Sequence, residues 1–158
     1  MKFVEPVRLA IILAHPFAAL FLIWSFFVQR KWKEKSSTLS GNDRKASIAE
    51  HETMGDRIAM ATIGIVFLGY VSNVARGWVD HNDPTELLLP GHFHGWVGTI
   101  GLALMFVLWK LGRNTMEARD AGDKFARTKE IHGKVSDLVA LLVGIHAFLG
   151  FLYLLTIL

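Results

Sequence analysis

Four long apolar blocks alternate with polar segments along the chain, at residues 7–28, 58–75, 87–109 and 138–158. Each block is close to the roughly 20 residues that an α-helix needs to cross about 30 Å of hydrocarbon. Helices also satisfy their own backbone hydrogen bonds, as lipid requires. The pattern predicts an all-α integral membrane four-helix bundle, with helices at about 5–30, 48–76, 88–112 and 129–158 in a single domain over residues 1–158.

The segments between the blocks carry the turn signals and most of the charge. Residues 36–42 are polar and turn-prone, which predicts a flexible connector, and residues 81–84 contain the Asn, Asp and Pro expected where the second helix ends. The chain is 52% hydrophobic, which is too apolar for an ordinary soluble domain of 158 residues.

Basic residues concentrate after the first block, as at Arg44 and Lys45, and after the third, as at Arg127, Lys129 and Lys134. The positive-inside rule therefore predicts that both basic loops are cytoplasmic or stromal and that both termini lie on the non-cytoplasmic side. Acidic residues are interleaved with the basic ones, so we expect no nucleic-acid partner.

The chain contains seven histidines and no cysteine. The lack of cysteine excludes disulfides, thioether-attached haem, iron–sulfur clusters and cysteine-based zinc sites, and leaves histidine as the strong soft-metal ligand. Histidine is costly in a membrane helix unless it faces a partner, so several such residues together predict a functional site.

Each predicted helix carries a histidine followed four positions later by a small residue: His15 with Ala19, His51 with Gly55, His94 with Gly98 and His132 with Ser136. Positions i and i+4 share a helix face, where a small side chain would let a porphyrin bound to the imidazole approach the backbone. His92 fails this test because Trp96 occupies the position, and His81 lies in a polar loop.

Helix depth predicts how these histidines pair. His51 and His132 both lie at the cytoplasmic ends of their helices. His15 lies about eight residues, or roughly 12 Å, from the outer face, and His94 begins the third helix on that face. The result would be two six-coordinate iron sites, one near each side of the membrane. His146 is a challenger, since it lies fourteen residues after His132 on about the same face, with Gly150 at i+4. It could replace His15 or His94 as a cofactor-binding residue.

Several segments resemble known families. "LAHPFAALFLIW" around His15 and "HGWVG" from His94 are similar to the first- and third-helix motifs of the cytochrome b561 four-helix dihaem core, and "HETMG" and "TKEIHGKVSD" fit its other two positions less specifically. Essentially the whole chain also resembles the cyanobacterial and plastid membrane proteins classed as domain of unknown function 4079. This resemblance implies that His15, His51, His94 and His132 bind two haem b groups, and it suggests a cyanobacterial thylakoid or plasma membrane.

The sequence therefore predicts a multi-pass b-type cytochrome that transfers single electrons between two bis-histidine haems across the bilayer, which would make it a transmembrane oxidoreductase. Its basic rim would dock a soluble or quinone electron donor or acceptor, and the chain could belong to a larger membrane complex or a homodimer. The alternative is a small haem-free or quinone-binding accessory or assembly subunit of a larger membrane complex, such as a photosynthetic one. Asp137, just inside the fourth block, is the acidic residue expected to hydrogen-bond a ligating imidazole or a haem propionate.

Overall fold

The computed structural model describes residues 4–158, with side chains at all of them except Val4 and Lys33, so residues 1–3 of the predicted domain lie outside the described part. It contains four long helices and one short one and, over the described range, no strand. The helices are α1 (Val4–Arg30), α2 (Trp32–Ser37), α3 (Gly41–His81), α4 (Phe93–Asp120) and α5 (Ala126–Ile157).

The four long helices are the predicted membrane-crossing elements. Each is long and apolar enough to span a bilayer. Large apolar side chains such as Phe21, Phe67, Leu141 and Phe148 are exposed on their outer surfaces, as expected for a lipid-facing bundle. The prediction of an all-α protein with four helices of membrane-spanning length is confirmed.

Residues 36–42, whose composition predicted a flexible connector, form the end of α2, a short turn and the start of α3. Helix α2 continues to Ser37, and α3 already begins at Gly41, seven residues before its predicted start. The Trp32 indole donates from Nε1 to the Ser47 carbonyl and hydroxyl oxygens, at 2.8 and 2.9 Å. These bonds fix α2 against the first turns of α3, so only a short turn separates the two helices.

The connection between α3 and α4 also differs from the predicted bounds. Helix α3 continues to His81 and ends where Asn82 adopts a left-handed conformation, with φ at 55°. Helix α4 begins at Phe93 rather than near residue 88. Pro90 lacks a backbone N–H and disfavours helical geometry in the residue before it, which accounts for the late start.

The bundle consists of two closely packed antiparallel pairs, α1 with α3 and α4 with α5. Helix α3 also contacts α4 and α1 contacts α5, so α1 faces α4 and α3 faces α5 across the two diagonals. A small apolar core containing Phe26, Ile58, Met105 and Val139 fills the middle of the bundle. We refer to the end that holds Val4 and Ile157 as the terminal end and to the opposite end as the α2 end.

Candidate functional site: two facing histidine pairs

Two histidine pairs face each other across the bundle diagonals. The rings of His15 on α1 and His94 on α4 have centres 6.0 Å apart and planes at 76°. The rings of His51 on α3 and His132 on α5 have centres 6.4 Å apart and planes at 80°. Two imidazoles that bind one metal ion from opposite sides, each through a bond of about 2.0–2.1 Å, have centres roughly 6 Å apart. Both pairs predicted from helix depth are therefore together in space, at a separation that suits axial ligation.

Three of these four imidazoles are oriented by the same hydrogen bond. Nδ1 of His15 donates to the Ile65 carbonyl, Nδ1 of His94 to the His146 carbonyl and Nδ1 of His132 to the Leu108 carbonyl, each at 3.1 Å. A carbonyl oxygen can only accept, so Nδ1 carries the proton and a neutral ring has its lone pair on Nε2. This arrangement is typical of metal-binding histidines, whose other ring nitrogen donates to a backbone carbonyl or carboxylate.

A glycine lies beneath each of these three rings, four residues after the carbonyl that accepts the hydrogen bond. A Cβ added at Gly69 would lie 3.2 Å from His15, one at Gly150 2.7 Å from His94, and one at Gly112 3.3 Å from His132. Because helix side chains at i and i+4 share a face, the missing side chain leaves room for the ring to reach the carbonyl. In each case the carbonyl and the glycine belong to the other helix of the same close-packed pair.

The contacts reveal an internal repeat that relates α1 and α3 to α4 and α5. His146 stands fourteen residues after His132, and Ile65 stands fourteen after His51, with glycine four residues later in both cases. Gln29 and Leu108 likewise stand fourteen residues after His15 and His94. Equivalent positions thus supply the Nδ1 partner of each histidine. A glycine eighteen residues after His51, His94 and His132 is the signal in the sequence that could have revealed these contacts.

His51 departs from the rule in one respect. Its partner is the side chain of Gln29, whose Nε2 lies 2.8 Å from His51 Nδ1 and donates to the His51 carbonyl at 2.6 Å. In this orientation of the amide, Nδ1 accepts and the proton of a neutral ring is on Nε2. Trp32 stacks on the same ring, with centres 4.4 Å apart. His51 is therefore fixed by α1 and α2, but in the opposite tautomer to the other three.

His146 joins the terminal-end pair as a third histidine. Its ring stacks on that of His94, with centres 4.0 Å apart and planes at 20°, and one nitrogen of His15, His94 and His146 each lies within 4.8 Å of the others. A Cβ added at Gly98 would lie 2.8 Å from the His146 ring. Unlike the paired histidines, His146 has a buried Nδ1 that has no hydrogen-bond partner within the described range of the chain.

The small residues at i+4 have contacts that the sequence did not predict. Gly98 is contacted by the His146 ring and Gly150 by the His94 ring, so imidazoles of the neighbouring helix lie beside them. Among the described residues, nothing lies within 4 Å of a Cβ added at Gly55, and Ser136 accepts hydrogen bonds from Arg30. Gly98 and Gly150 thus make room for the neighbouring helix, because that helix packs on the face they share with the histidine.

Asp137 was predicted to hydrogen-bond a ligating imidazole or a haem propionate, but in the structure it contacts none of the candidate imidazoles that are described. Its carboxylate accepts from Arg30 Nη2 at 2.7 Å, in an ion pair between α5 and α1. The neighbouring His132 instead uses the Leu108 carbonyl. A backbone acceptor on the closely packed α4 has thus taken the place of the carboxylate.

His81 and His92 are in neither pair, as expected. His81 is the last residue of α3 rather than a loop residue, and its Nδ1 lies 3.4 Å from the Glu86 carboxylate in the loop that follows. His92 is the N-cap of α4, where its Nδ1 accepts from the Gly95 N–H at 3.2 Å, and its ring stacks on Tyr153 with centres 3.7 Å apart. Burial lowers the pKa of His92, and the neighbouring His94 and Arg76 act in the same direction.

A cavity of about 380 Å³ occupies the terminal-end half of the bundle. His15, His94 and His146 line it together with Arg76, His92 and Tyr153. Arg76 is only 8% exposed and donates from Nη1 to the Tyr153 hydroxyl at 3.0 Å. Neither Arg76 nor Tyr153 stands out as a site residue in the sequence, because only the fold brings both to the cavity.

Comparisons of the chain with protein-family models, with curated proteins and with solved structures give no match.

Proposed function

We propose that the protein is a membrane b-type cytochrome that passes single electrons between two haems, bound by His15 with His94 and by His51 with His132. Haem iron that is held by two imidazoles exchanges one electron without opening a coordination position. The observation that carries the proposal is the Nδ1–H bond of His15, His94 and His132 to a backbone carbonyl, combined with ring-centre spacings of 6.0 and 6.4 Å. His15, His94 and His132, fixed in this way, present the lone pair of Nε2 to a ligand. His51 would do the same in its Nδ1–H tautomer, with the Gln29 amide turned so that its oxygen accepts from Nδ1.

The distance between the two sites supports a path across the bilayer. Ile65, which binds His15, lies fourteen residues after His51 on one continuous helix. Fourteen residues of α-helix span about 21 Å. The two histidine pairs are therefore separated by about two thirds of a hydrocarbon core that is roughly 30 Å thick.

His15 and His94, rather than His94 and His146, are the proposed axial partners at the terminal end. The stacked rings of His94 and His146 have centres only 4.0 Å apart, which is too close for two imidazoles on opposite sides of one metal ion. His146 also lacks an Nδ1 partner to orient its ring. Its backbone carbonyl, by contrast, orients His94.

A non-haem metal ion at the terminal end is a second candidate, favoured by the three nitrogens of His15, His94 and His146 within 4.8 Å of one another. Three imidazoles suit zinc, copper or iron. Such a site would require His94 and His146 to unstack, since parallel rings do not direct their nitrogens at one point. Measuring metal content and haem content in the same sample distinguishes the two candidates.

The test of the proposal is the haem content of the purified protein and of single-histidine variants. The wild type should show a reduced-minus-oxidised b-type spectrum and about two haems per chain by pyridine haemochrome. His94→Leu should lose the terminal-end haem only, His132→Leu the α2-end haem only, and His81→Leu neither. A colourless wild type, or a His94→Leu protein that keeps both haems, would contradict the proposal.

We further propose that the α2 end faces the cytoplasm and that electrons enter or leave through a soluble or quinone partner. The exposed Arg44 and Lys45 near this end support the orientation by the positive-inside rule. The chain has no cysteine, so Ser37→Cys and Asp83→Cys each introduce a single label site. A membrane-impermeant maleimide added to intact cells should label Asp83→Cys and not Ser37→Cys, and the reverse result would invert the topology.

A further inference from the structure

Two buried hydrogen-bond donors at the terminal-end cavity have no acceptor among the described residues. His92 Nδ1 accepts from Gly95, so in the neutral ring the proton is on Nε2, and this nitrogen is buried without a partner. Arg76 Nε is buried without a hydrogen bond as well. His92 and Arg76 line the same cavity, and buried donors are normally hydrogen-bonded, so we expect a ligand in the cavity to supply an acceptor to both.

The charge around Arg76 favours a ligand that is negatively charged as well as a hydrogen-bond acceptor. Arg76 Nε lies 3.7 Å from Asp80, but Asp80 also accepts from Arg8 Nε at 2.9 Å, so two guanidinium groups share one carboxylate. Arg8 and Arg76 together carry one positive charge more than Asp80 can balance. Arg76, one of the two, is nine-tenths buried. A buried charge is costly unless it is paired. The cavity also includes His92 and His94 at the N-terminus of α4, where the helix dipole favours an anion.

We propose that Arg76 and His92 bind a carboxylate, and that this carboxylate is a propionate of the terminal-end haem. The inference rests on the proposed function and extends it to the residues that orient the haem. A carboxylate offers acceptors to both unsatisfied donors and balances the excess charge of Arg76. The rings of His92 and His94 have centres 5.9 Å apart, which places the carboxylate pocket directly beside the proposed axial ligand.

The experiment compares haem b with its dimethyl ester, which lacks both propionate charges. Apo-protein is titrated with each, and the terminal-end phase is identified as the one that His94→Leu lacks. In the wild type, we expect the ester to bind this site about tenfold more weakly than haem b. Arg76→Gln should weaken the binding of haem b by about tenfold and leave the binding of the ester within about twofold of the wild-type value.

Two further variants separate the pocket from general effects on folding. Arg44→Gln removes an exposed arginine from the α2 end of the same helix and should leave the terminal-end affinity for both compounds unchanged. His92→Ser keeps an N-cap side chain for α4 but lacks the Nε2 donor, so it too should weaken haem b more than the ester. The midpoint potential of the terminal-end haem should fall in Arg76→Gln, because a nearby positive charge stabilises the reduced form.

The outcomes distinguish this inference from the proposed function. A wild type that binds neither compound overturns both. A wild type that binds two haems but does not discriminate haem b from the ester at the terminal end overturns the propionate pocket alone. Equal weakening of both compounds by Arg76→Gln would also overturn it, because the arginine would then act on something other than the propionate.

Discussion

The imidazole of His94 donates from Nδ1 to the backbone carbonyl of His146, 3.1 Å away, while the two rings stack with their centres 4.0 Å apart. The backbone of His146 thereby orients His94, and its side chain covers one face of the ring. The repeat explains this division, because Ile65 occupies the equivalent position in the other helix pair and supplies a carbonyl to His15 in the same way. At position 146, as at position 65, the group that orients the facing histidine is the backbone carbonyl, which any residue provides.

His146→Leu should therefore keep both haems. The carbonyl that binds His94 remains, and leucine fills the space over Gly98 with a side chain like that of Ile65. We expect the terminal-end haem affinity to fall by about tenfold or less, because the variant loses only a side chain that packs on the ligand His94 and not the ligand itself. Haem content and affinity by optical titration check this. If His146→Leu lost the terminal-end haem while His15→Leu kept it, His146 would be the axial ligand and the pairing would be wrong.

Gly150→Ala should weaken the terminal-end site selectively. The added Cβ would lie 2.7 Å from the His94 ring, which would have to move away from the carbonyl that orients it. We expect at least about a tenfold loss of haem affinity at this site, together with an overpacking cost of about 1–3 kcal/mol. Gly144→Ala is the matched control on the same helix, since a Cβ there meets nothing within 4 Å. Equal haem affinities in the two variants would show that the close packing of His94 against Gly150 does not contribute to haem binding.

Gln29→Leu should affect only the α2-end haem. Gln29 is the side-chain partner of His51 Nδ1, and loss of such a partner typically costs about 10–100-fold in metal affinity. Gln29→Glu should retain this haem and lower its midpoint potential, because a carboxylate beside Nδ1 favours the Nδ1–H tautomer of His51, frees Nε2 for the iron and raises the basicity of the ligand. Ser25→Ala is the control, since the Ser25 hydroxyl donates only to the Phe21 carbonyl on its own helix. Potentiometric titration of both haems checks the prediction, and a shift confined to the terminal-end haem would contradict it.

The electron paramagnetic resonance spectrum of the oxidised protein should report the angle between the imidazole planes. The planes are at 76° in one pair and 80° in the other. Nearly perpendicular axial imidazoles leave the iron d orbitals almost degenerate, so both ferric haems should give highly anisotropic low-spin signals. The conventional rhombic spectrum of parallel imidazoles would show that the rings reorient when haem binds. His94→Leu and His132→Leu assign each signal to its site.

The sequence by itself determined the four helices of membrane-spanning length and which histidines share a depth. Block length against bilayer thickness decides the first, and the fixed rise of 1.5 Å per residue decides the second, so His15 could be matched with His94 and His51 with His132 before any contact was known. The tertiary structure alone decided the orientation of each ring, the place of His146 and the burial of Arg76. These features depend on how each helix is rotated and how closely it packs against its partner. The periodicity of a single helix does not contain that information, so Gly98 and Gly150 were matched with histidines of their own helices, and Gly69 and Gly112 were not singled out.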